Sequence, residues 1–347
     1  MTIPNGHPSY FPRMRLYRYV TADVFTDRQF GGNPLAVVLG AEGLSDAEML
    51  ALTREFNYSE TTFVLPPERG GAARVRIFTP GGEVPFAGHP TVGTAHVLFA
   101  VGALGADAPG AAGGEATVVL EEHVGDVPVR VVLGTGPSGL GGAEPSYAEL
   151  SVARLPEERP APPGDRLAAA LGLDEDDLLG GEYAPAIVSC GLPFTLVPVR
   201  DRAAVARAHV RAEQWAAAFP VGLPGVDPHD GGREYESEGA MVFAFDETEG
   251  ADASAGSGQG VHARVFVPDL AVPEDPATGS ACAALGGYLA GRTPRAGVLE
   301  WRVAQGVEMG RPSAIAVTVE KGAEGVAAVR VGGSAVVVCD GRVRVRS

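Results

Sequence analysis

An α+β fold of two similar lobes, each a sheet wrapped around one buried helix, follows from three features of the sequence. Short β-branched runs outnumber helical patterns, two helix-length segments are apolar or small on nearly every face, and a patterned segment near residue 76 returns near residue 264. At 347 residues and 45% hydrophobic content the chain suits one large domain or two ordinary ones.

In chain order, residues 1–14 are polar and Pro-rich and read as a flexible tail. A helix is expected over 45–56, where Ser45 and Glu48 have the spacing of a capping box, and another over 164–171. Strands are expected over 73–78, 116–120, 127–133, 314–319 and 335–338. Gly- and Pro-rich breaks fall at 102–114, 134–145, 156–164, 221–232 and 247–260. The segments 91–104 and 278–290 differ from the other helices in having no polar face, and such a helix must be surrounded by protein. Both are too short to span a bilayer. A first lobe is expected over 15–125 and a second over 126–334. The strand-like stretch 336–345 is expected to pair back into the first lobe, so that 335–347 belongs with it.

The internal repeat is specific. Arg76-Ile77-Phe78-Thr79-Pro80 is followed by Val84-Pro85 and then His89-Pro90-Thr91-Val92-Gly93-Thr94-Ala95. Arg264-Val265-Phe266-Val267-Pro268 is followed by Val272-Pro273 and then Asp275-Pro276-Ala277-Thr278-Gly279-Ser280-Ala281. A weaker echo aligns Gly32-Asn33-Pro34 with Gly191-Leu192-Pro193. On this alignment His89 should superpose on Asp275, and Thr94 on Ser280. Each motif stands at the start of a buried helix, where unpaired N–H groups and the positive end of the dipole favour an anion. Two such mouths opening onto one cleft would cradle a carboxylate or an enolate-like charge. The plainer alternative is that His89 and Asp275 only cap their helices.

Composition removes several classes. The formal charge is −16, from 27 basic and 43 acidic residues, and no basic stripe could follow a phosphate backbone, so nucleic acid is not expected as a partner. No run of about 18 apolar residues suggests a membrane span, and a cytoplasmic location is expected. Cys190, Cys282 and Cys339 form neither a disulfide framework nor a CxxC site. Lys321 is the only lysine and lies in a turn-like stretch, which argues against a pyridoxal Schiff base and against a P-loop. No cofactor and no metal is expected. His89 and His96 lack companions at the spacing of metal-binding helices, and His123, His209, His229 and His262 are isolated. Gly134 to Gly139 spells GxGxxG, but the residues after it cannot sustain the helix that a dinucleotide site needs, so it reads as a loop.

Three segments in order, Asn57-Tyr58-Ser59-Glu60-Thr61-Thr62-Phe63-Val64, Phe86-Ala87-Gly88-His89-Pro90-Thr91-Val92-Gly93 and Glu274-Asp275-Pro276-Ala277-Thr278-Gly279-Ser280-Ala281, resemble the signatures of the phenazine-biosynthesis isomerase (PhzF) family. Gln305-Gly306, Gly310-Arg311-Pro312-Ser313 and Val331-Gly332-Gly333 extend the likeness, which runs over about residues 17–345. The resemblance implies a diaminopimelate-epimerase-like fold, usually as a homodimer. It also implies that Glu60 is the acid/base that carries a proton, with His89 and Asp275 beside it, while Gly279 and Ser280 help to bind a substrate carboxylate. Ser59 and Gly88 complete the expected substrate-binding set. The family's best-known reaction is isomerisation of a dihydro-hydroxyanthranilate, a proton shift along a cyclic diene.

Taken alone, Glu60 would read as a solvated Glu near a helix end, and only its coupling to the other two motifs overturns that reading. Glu60 sits at a helix-to-strand junction leading into Phe63-Val64-Leu65, and partial burial there would raise its pKa, as suits a group that takes and returns a proton. Arg311 could bind substrate or support the junction between lobes. Two rivals stand beside the isomerase. One is a two-base racemase or epimerase on the same fold, which would use a facing cysteine pair not present at these helix mouths. The other is a ligand- or partner-binding module without turnover.

Overall fold

The computed structural model describes residues 14–104, 114–219, 237–246, 258–270 and 272–346, with the side chains of 135–137, 143, 144, 270 and 272 left aside. The tail, and most of the breaks at 102–114, 221–232 and 247–260, lie outside this range.

The first repeat runs β1 (Met14–Val24), β2 (Asn33–Leu39), α1 (Asp46–Phe56), β3 (Glu60–Leu65), β4 (Ala73–Thr79), β5 (Gly82–Val84), α2 (Gly88–Ala100), β6 (Gly114–Glu122), β7 (Gly125–Pro137) and β8 (Ala143–Ser151). After β9 (Glu157–Pro160) and α3 (Gly164–Ala170), the second runs β10 (Ala186–Ser189), β11 (Pro193–Pro198), α4 (Arg202–Arg207), α5 (Ala212–Ala218), β12 (Gly239–Phe245), β13 (Gly260–Val267), β14 (Val272–Asp275), α6 (Gly279–Arg292), β15 (Gly297–Gln305), β16 (Ser313–Gly322) and β17 (Gly325–Gly333). β18 (Ala335–Arg346) closes the chain.

Strand pairing shows the duplication directly. β1, β2, β3, β4, β6, β7 and β8 pair in succession, antiparallel except for the parallel pairs β2–β3 and β4–β6. β10, β11, β12, β13, β15, β16 and β17 repeat that order, with the parallel pairs at β11–β12 and β13–β15. The two sheets meet where β8 pairs with β17. Each repeat also passes an end strand to the other: β9 pairs with β10, and β18 pairs with β1 from Met14↔Arg346 to Val24↔Ala335.

Both helices without a polar face lie inside their sheets. α2 packs against β1, β2, β3, β6, β7 and β8, and α6 against β10, β11, β15, β16 and β17. His89 to Ala100 are all buried, as is α6 from Ala281 to Ala290. The central strands are covered on both faces, so they read as unbroken apolar runs. Leu35 and Val37 of β2 face α2, and Val38 faces α1 with Met49 and Phe63. In the second repeat Met241 and Phe243 of β12 face α6, and Val242 faces a layer of α3, α4 and α5 built on Leu167, Val205 and Trp215.

Some local expectations shift. The capping box of α1 forms, with Glu48 N–H donating to Ser45 Oγ at 3.3 Å and Ser45 N–H to Glu48 Oε2 at 2.8 Å. α2 begins three residues before 91 and ends at Ala100, because Gly88 opens the helix ahead of Pro90. The GxGxxG segment is the end of β7 and a turn into β8, not a loop throughout. Four strand residues, β9, sit inside the break at 156–164. α4 and α5 were not expected; each is a short Ala-rich helix, and α4 is capped by Asp201, which accepts from Ala204 N–H at 2.8 Å. No helix among the described residues is long and apolar enough to cross a membrane.

Candidate active site

Register decides which residues of the two repeats correspond. Phe78 pairs with Thr61 as Phe266 pairs with Ala240, so Ile77 corresponds to Val265. Val84 lies opposite Ile77, and Asp275 lies opposite Val265. Asp275 is therefore the counterpart of Val84, not of His89. Four residues on, Gly88 and Gly279 correspond as the first residues of α2 and α6, which matches His89 with Ser280. The expected superposition of His89 on Asp275 and Thr94 on Ser280 is thus corrected. The repeated Pro-x-x-Gly pattern is out of step with the strands because the β13–β14 hairpin is three residues longer than β4–β5, two in the turn (Val267↔Val272 against Thr79↔Gly82) and one in the bulge between Val265 and Val267, while its Pro comes earlier.

The two helix mouths abut. A methyl group added to Gly88 would lie 3.5 Å from Gly279 Cα, and one added to Gly279 would lie 3.6 Å from Gly88 Cα. Neither N-cap residue, Ala87 or Thr278, makes a side-chain cap, and His89 and Asp275 do not cap either. Ser280 lies half-buried in the first turn of α6.

Asn33, the first residue of β2, ties the site together. Its carboxamide nitrogen donates to Asp275 Oδ1 at 2.8 Å and to Ala277 O at 3.0 Å, and lies 3.4 Å from His89 Nδ1. Its oxygen accepts from Ser59 Oγ at 2.9 Å. Gly32 makes this approach possible: at φ +60° a Cβ there would stand 2.3 Å from Val24 O. From the second repeat Arg311 donates to Gly31 O, Gly32 O and Asp23, so it supports the junction and fixes the loop leading to Asn33. Asp275 is braced further by Thr278 Oγ1, which donates to Oδ2 at 2.5 Å, and by Gln305 Nε2, which donates to Asp275 O at 2.7 Å.

Glu60 opens β3, and its Oε2 faces His89 Nε2 across 3.6 Å. Both atoms are buried and have no hydrogen-bond partner among the described residues. The Glu60 side chain nevertheless keeps 18% of its surface accessible, so it borders a gap and not solid core. Burial, reinforced by the negative charge of Asp275, holds Glu60 well above the usual carboxyl range, and the Ser59 hydrogen bond offsets part of the shift. Asp275 is also raised by burial, against the hydrogen bonds from Thr278 and Asn33. Two interacting carboxyls of this kind titrate as one system. Burial lowers His89 to about 3, so its imidazole is neutral at physiological pH.

Of the residues expected from sequence, Glu60 faces His89 and Gly88 abuts Gly279, Asp275 and Ser59 are joined through Asn33, and Ser280 lies in the first turn of α6. Asn33, Thr278 and Gln305 were missed as site residues. The available signal was Asn33 itself, a polar side chain opening a strand whose counterpart residue in the other repeat is Leu192. Among the described residues, no cluster of three or more His, Cys, Asp or Glu could hold a metal ion.

Residues 22–341 match the family model described as phenazine biosynthesis-like protein, PhzC-PhzF. The chain is 31% identical to the trans-2,3-dihydro-3-hydroxyanthranilate isomerase of Pseudomonas aeruginosa, over 94% of this chain and 99% of that one. It is 38% identical to an uncharacterized isomerase of Mesorhizobium japonicum, over 95% and 99% of the two chains. A solved PhzF-family phenazine biosynthesis protein of Bacillus anthracis superposes with a TM-score of 0.74 at 25% identity, covering 95% of this chain and 99% of its own. A hydroxyproline epimerase from Agrobacterium vitis, at 13% identity and a TM-score of 0.56 over 96% and 92% of the chains, shares the fold. A duplicated sheet-and-helix architecture, a match over nearly the whole chain and relatives that are isomerases by name agree, and the chain belongs to the phenazine biosynthesis-like (PhzF) family.

Proposed function

We propose that this protein is a cofactor-independent isomerase that moves one proton between two carbons of a small cyclic carboxylate, with Glu60 as the carrier. The observation that carries the reading is the facing pair Glu60 Oε2 and His89 Nε2, buried, unpartnered and set beside two uncapped helix mouths. A substrate carboxylate suits the N–H groups of those mouths, at Gly88 and at Gly279-Ser280. Ionised Glu60 takes a proton from a substrate C–H, and the electron pair left behind spreads through the conjugated system. The Glu60 carboxylic acid then returns the proton to a more distant carbon on the same face. No atom or electron is gained or lost. Burial makes Glu60 a stronger base than an exposed carboxylate, and neutral His89 can exchange a hydrogen bond with it or with a substrate hydroxyl.

A two-base epimerase has less support. The register counterpart of Glu60 is Gly239, so the second repeat supplies no matching carboxylate. Cys282 is buried beside Gln305, and Cys190 Sγ donates to Ala283 O, so neither thiol stands at a helix mouth.

The test uses trans-2,3-dihydro-3-hydroxyanthranilate, the compound named for the Pseudomonas relative, followed by NMR in H2O and D2O. Isomerisation is the expected result, with any deuterium that enters confined to the carbon that receives the proton. Binding that raises Tm without isomerisation or C–H exchange would overturn the reading and favour a binding module.

A further inference from the structure

β6 and β15 are equivalent strands that end on a matched pair of side chains. The parallel pairings Ala73↔Leu120 and Val261↔Val303 place Glu122 where the other repeat has Gln305. Gln305 braces the approach to α6: it donates to Asp275 O and Thr278 Oγ1, and its Oε1 accepts from Thr278 N–H at 3.2 Å and lies 4.0 Å from Cys282 Sγ. Glu122 stands in the same relation to α2, against Thr91, the counterpart of Cys282.

The protons around Thr91 do not balance if Glu122 is ionised. Thr91 Oγ1 lies 2.8 Å from Ala87 O and 2.6 Å from Glu122 Oε1. A hydroxyl has one proton, and a carbonyl oxygen can only accept. A full hydrogen bond at each contact requires Glu122 to supply the second proton; one proton shared between two acceptors would leave both bonds weak, against distances this short.

The surroundings agree. Glu122 is 3% exposed, and its Oε2 is buried with no hydrogen-bond partner among the described residues. It lines a surface depression of about 500 Å³ with His123 and three arginines. Those arginines are engaged elsewhere: Arg69 by Asp126, Arg74 by Glu68, and Arg76 by Asp46 and Glu83. Neighbouring Glu121 is held by the backbone N–H groups of Glu68, Arg69 and Gly71. Burial pushes Glu122 up to about 8.

We propose that Glu122 is a neutral, protonated hydrogen-bond donor at pH 7, the acid counterpart of Gln305, and that through Thr91 it locks the first turn of α2 and so positions Gly88 and His89. It is a positioning residue, and its importance for turnover rests on the isomerase reading. Its protonation does not.

Glu122→Gln keeps a neutral donor and removes the titration. A folded-state pKa raised above the unfolded value gives stability that is full below the ordinary carboxyl range and lost as pH rises through about 8. The variant should therefore match the wild type near pH ~5 and exceed its Tm by several degrees near pH ~9. The infrared spectrum at pH 7 should lose one protonated-carboxyl band in Glu122→Gln. With the substrate probe above, Glu122→Leu should lose about tenfold or more in kcat/KM relative to Glu122→Gln, since both Gly88 and His89 are displaced. A Tm difference independent of pH, or an unchanged carboxyl band, overturns the proposal. Neither of these two readouts uses substrate or needs Glu122→Leu to fold, so they decide it even where the isomerase reading fails.

Discussion

Glu60 and Asn33 do opposite kinds of work in the same few ångströms. Glu60 is left without a partner at Oε2, and this keeps its carboxyl basic and available. Glu60→Gln keeps the shape and loses the base, so turnover of the dihydro-hydroxyanthranilate probe should fall by about 10⁴ while Tm holds or rises; near-wild-type turnover would move the proton carrier to His89 or Asp275. Because the base must be ionised and its pKa is raised, kcat/KM should climb with pH through the neutral range instead of levelling off near the ordinary carboxyl value of about 4.3. Steady-state rates measured from about pH 5 to 9 check the sign. Asn33 spends every polar atom on protein partners. Asn33→Leu strands Asp275 and Ser59 and should cost about 1–3 kcal/mol of stability as well as turnover, measured by denaturant melts and rate together. The three-motif pattern made Glu60, His89 and Asp275 legible. Asn33 was not, because an Asn between Gly32 and Pro34 looks like ordinary turn chemistry until the partner across the cleft is known.

The helix mouths place the ligand groups, and their glycines serve different ends. At Gly279 a methyl meets its nearest neighbour at 3.6 Å, an ordinary contact. Gly279→Ala should therefore leave Tm within a degree or two, on the order of 0.5 kcal/mol, and raise KM for the probe by filling the space between α2 and α6; an unchanged KM would place the substrate elsewhere. Other elements were readable from short-range rules. Ser45 and Glu48 announced α1, and the lack of any polar face announced α2 and α6. The single lysine closes the C-terminal end of α6, where Lys321 Nζ donates to Ala290 O at 2.7 Å and to Thr293 O at 2.6 Å. The short helices α4 and α5 escaped notice because six or seven Ala-rich residues give too little periodicity; what fixes them is the apolar outer face of β11, β12 and β13 that they cover.

Across the molecule the links between the two repeats include β8 with β17, the exchanged strands β9 and β18, Arg311 reaching the loop before Asn33, and Asn33 itself bonded to Asp275 and Ala277. β18 covers β1 over its whole length and is joined by the Arg18–Asp340 ion pair, both of its hydrogen bonds at 3.0 Å. Removing 335–347 would take from β1 one of its two partner strands, leaving it on β2, while keeping every site residue in the chain. The truncated protein should lose its cooperative melt and its turnover together. A stable, active product would show that the exchanged strand is dispensable.

Hydropathy period, helix caps and the internal repeat are local properties of covalent neighbours, so the order of residues sufficed for the two-lobed α+β architecture, the buried helices and the motifs around Glu60, His89 and Asp275. Register is not local. That Asp275 answers to Val84 and His89 to Ser280 follows from the hydrogen-bond register of β4–β5 and β13–β14, where a one-residue bulge and a turn two residues longer shift every later correspondence. The same holds for the proton on Glu122, whose neutrality depends on burial and on a single hydroxyl 31 residues away in sequence.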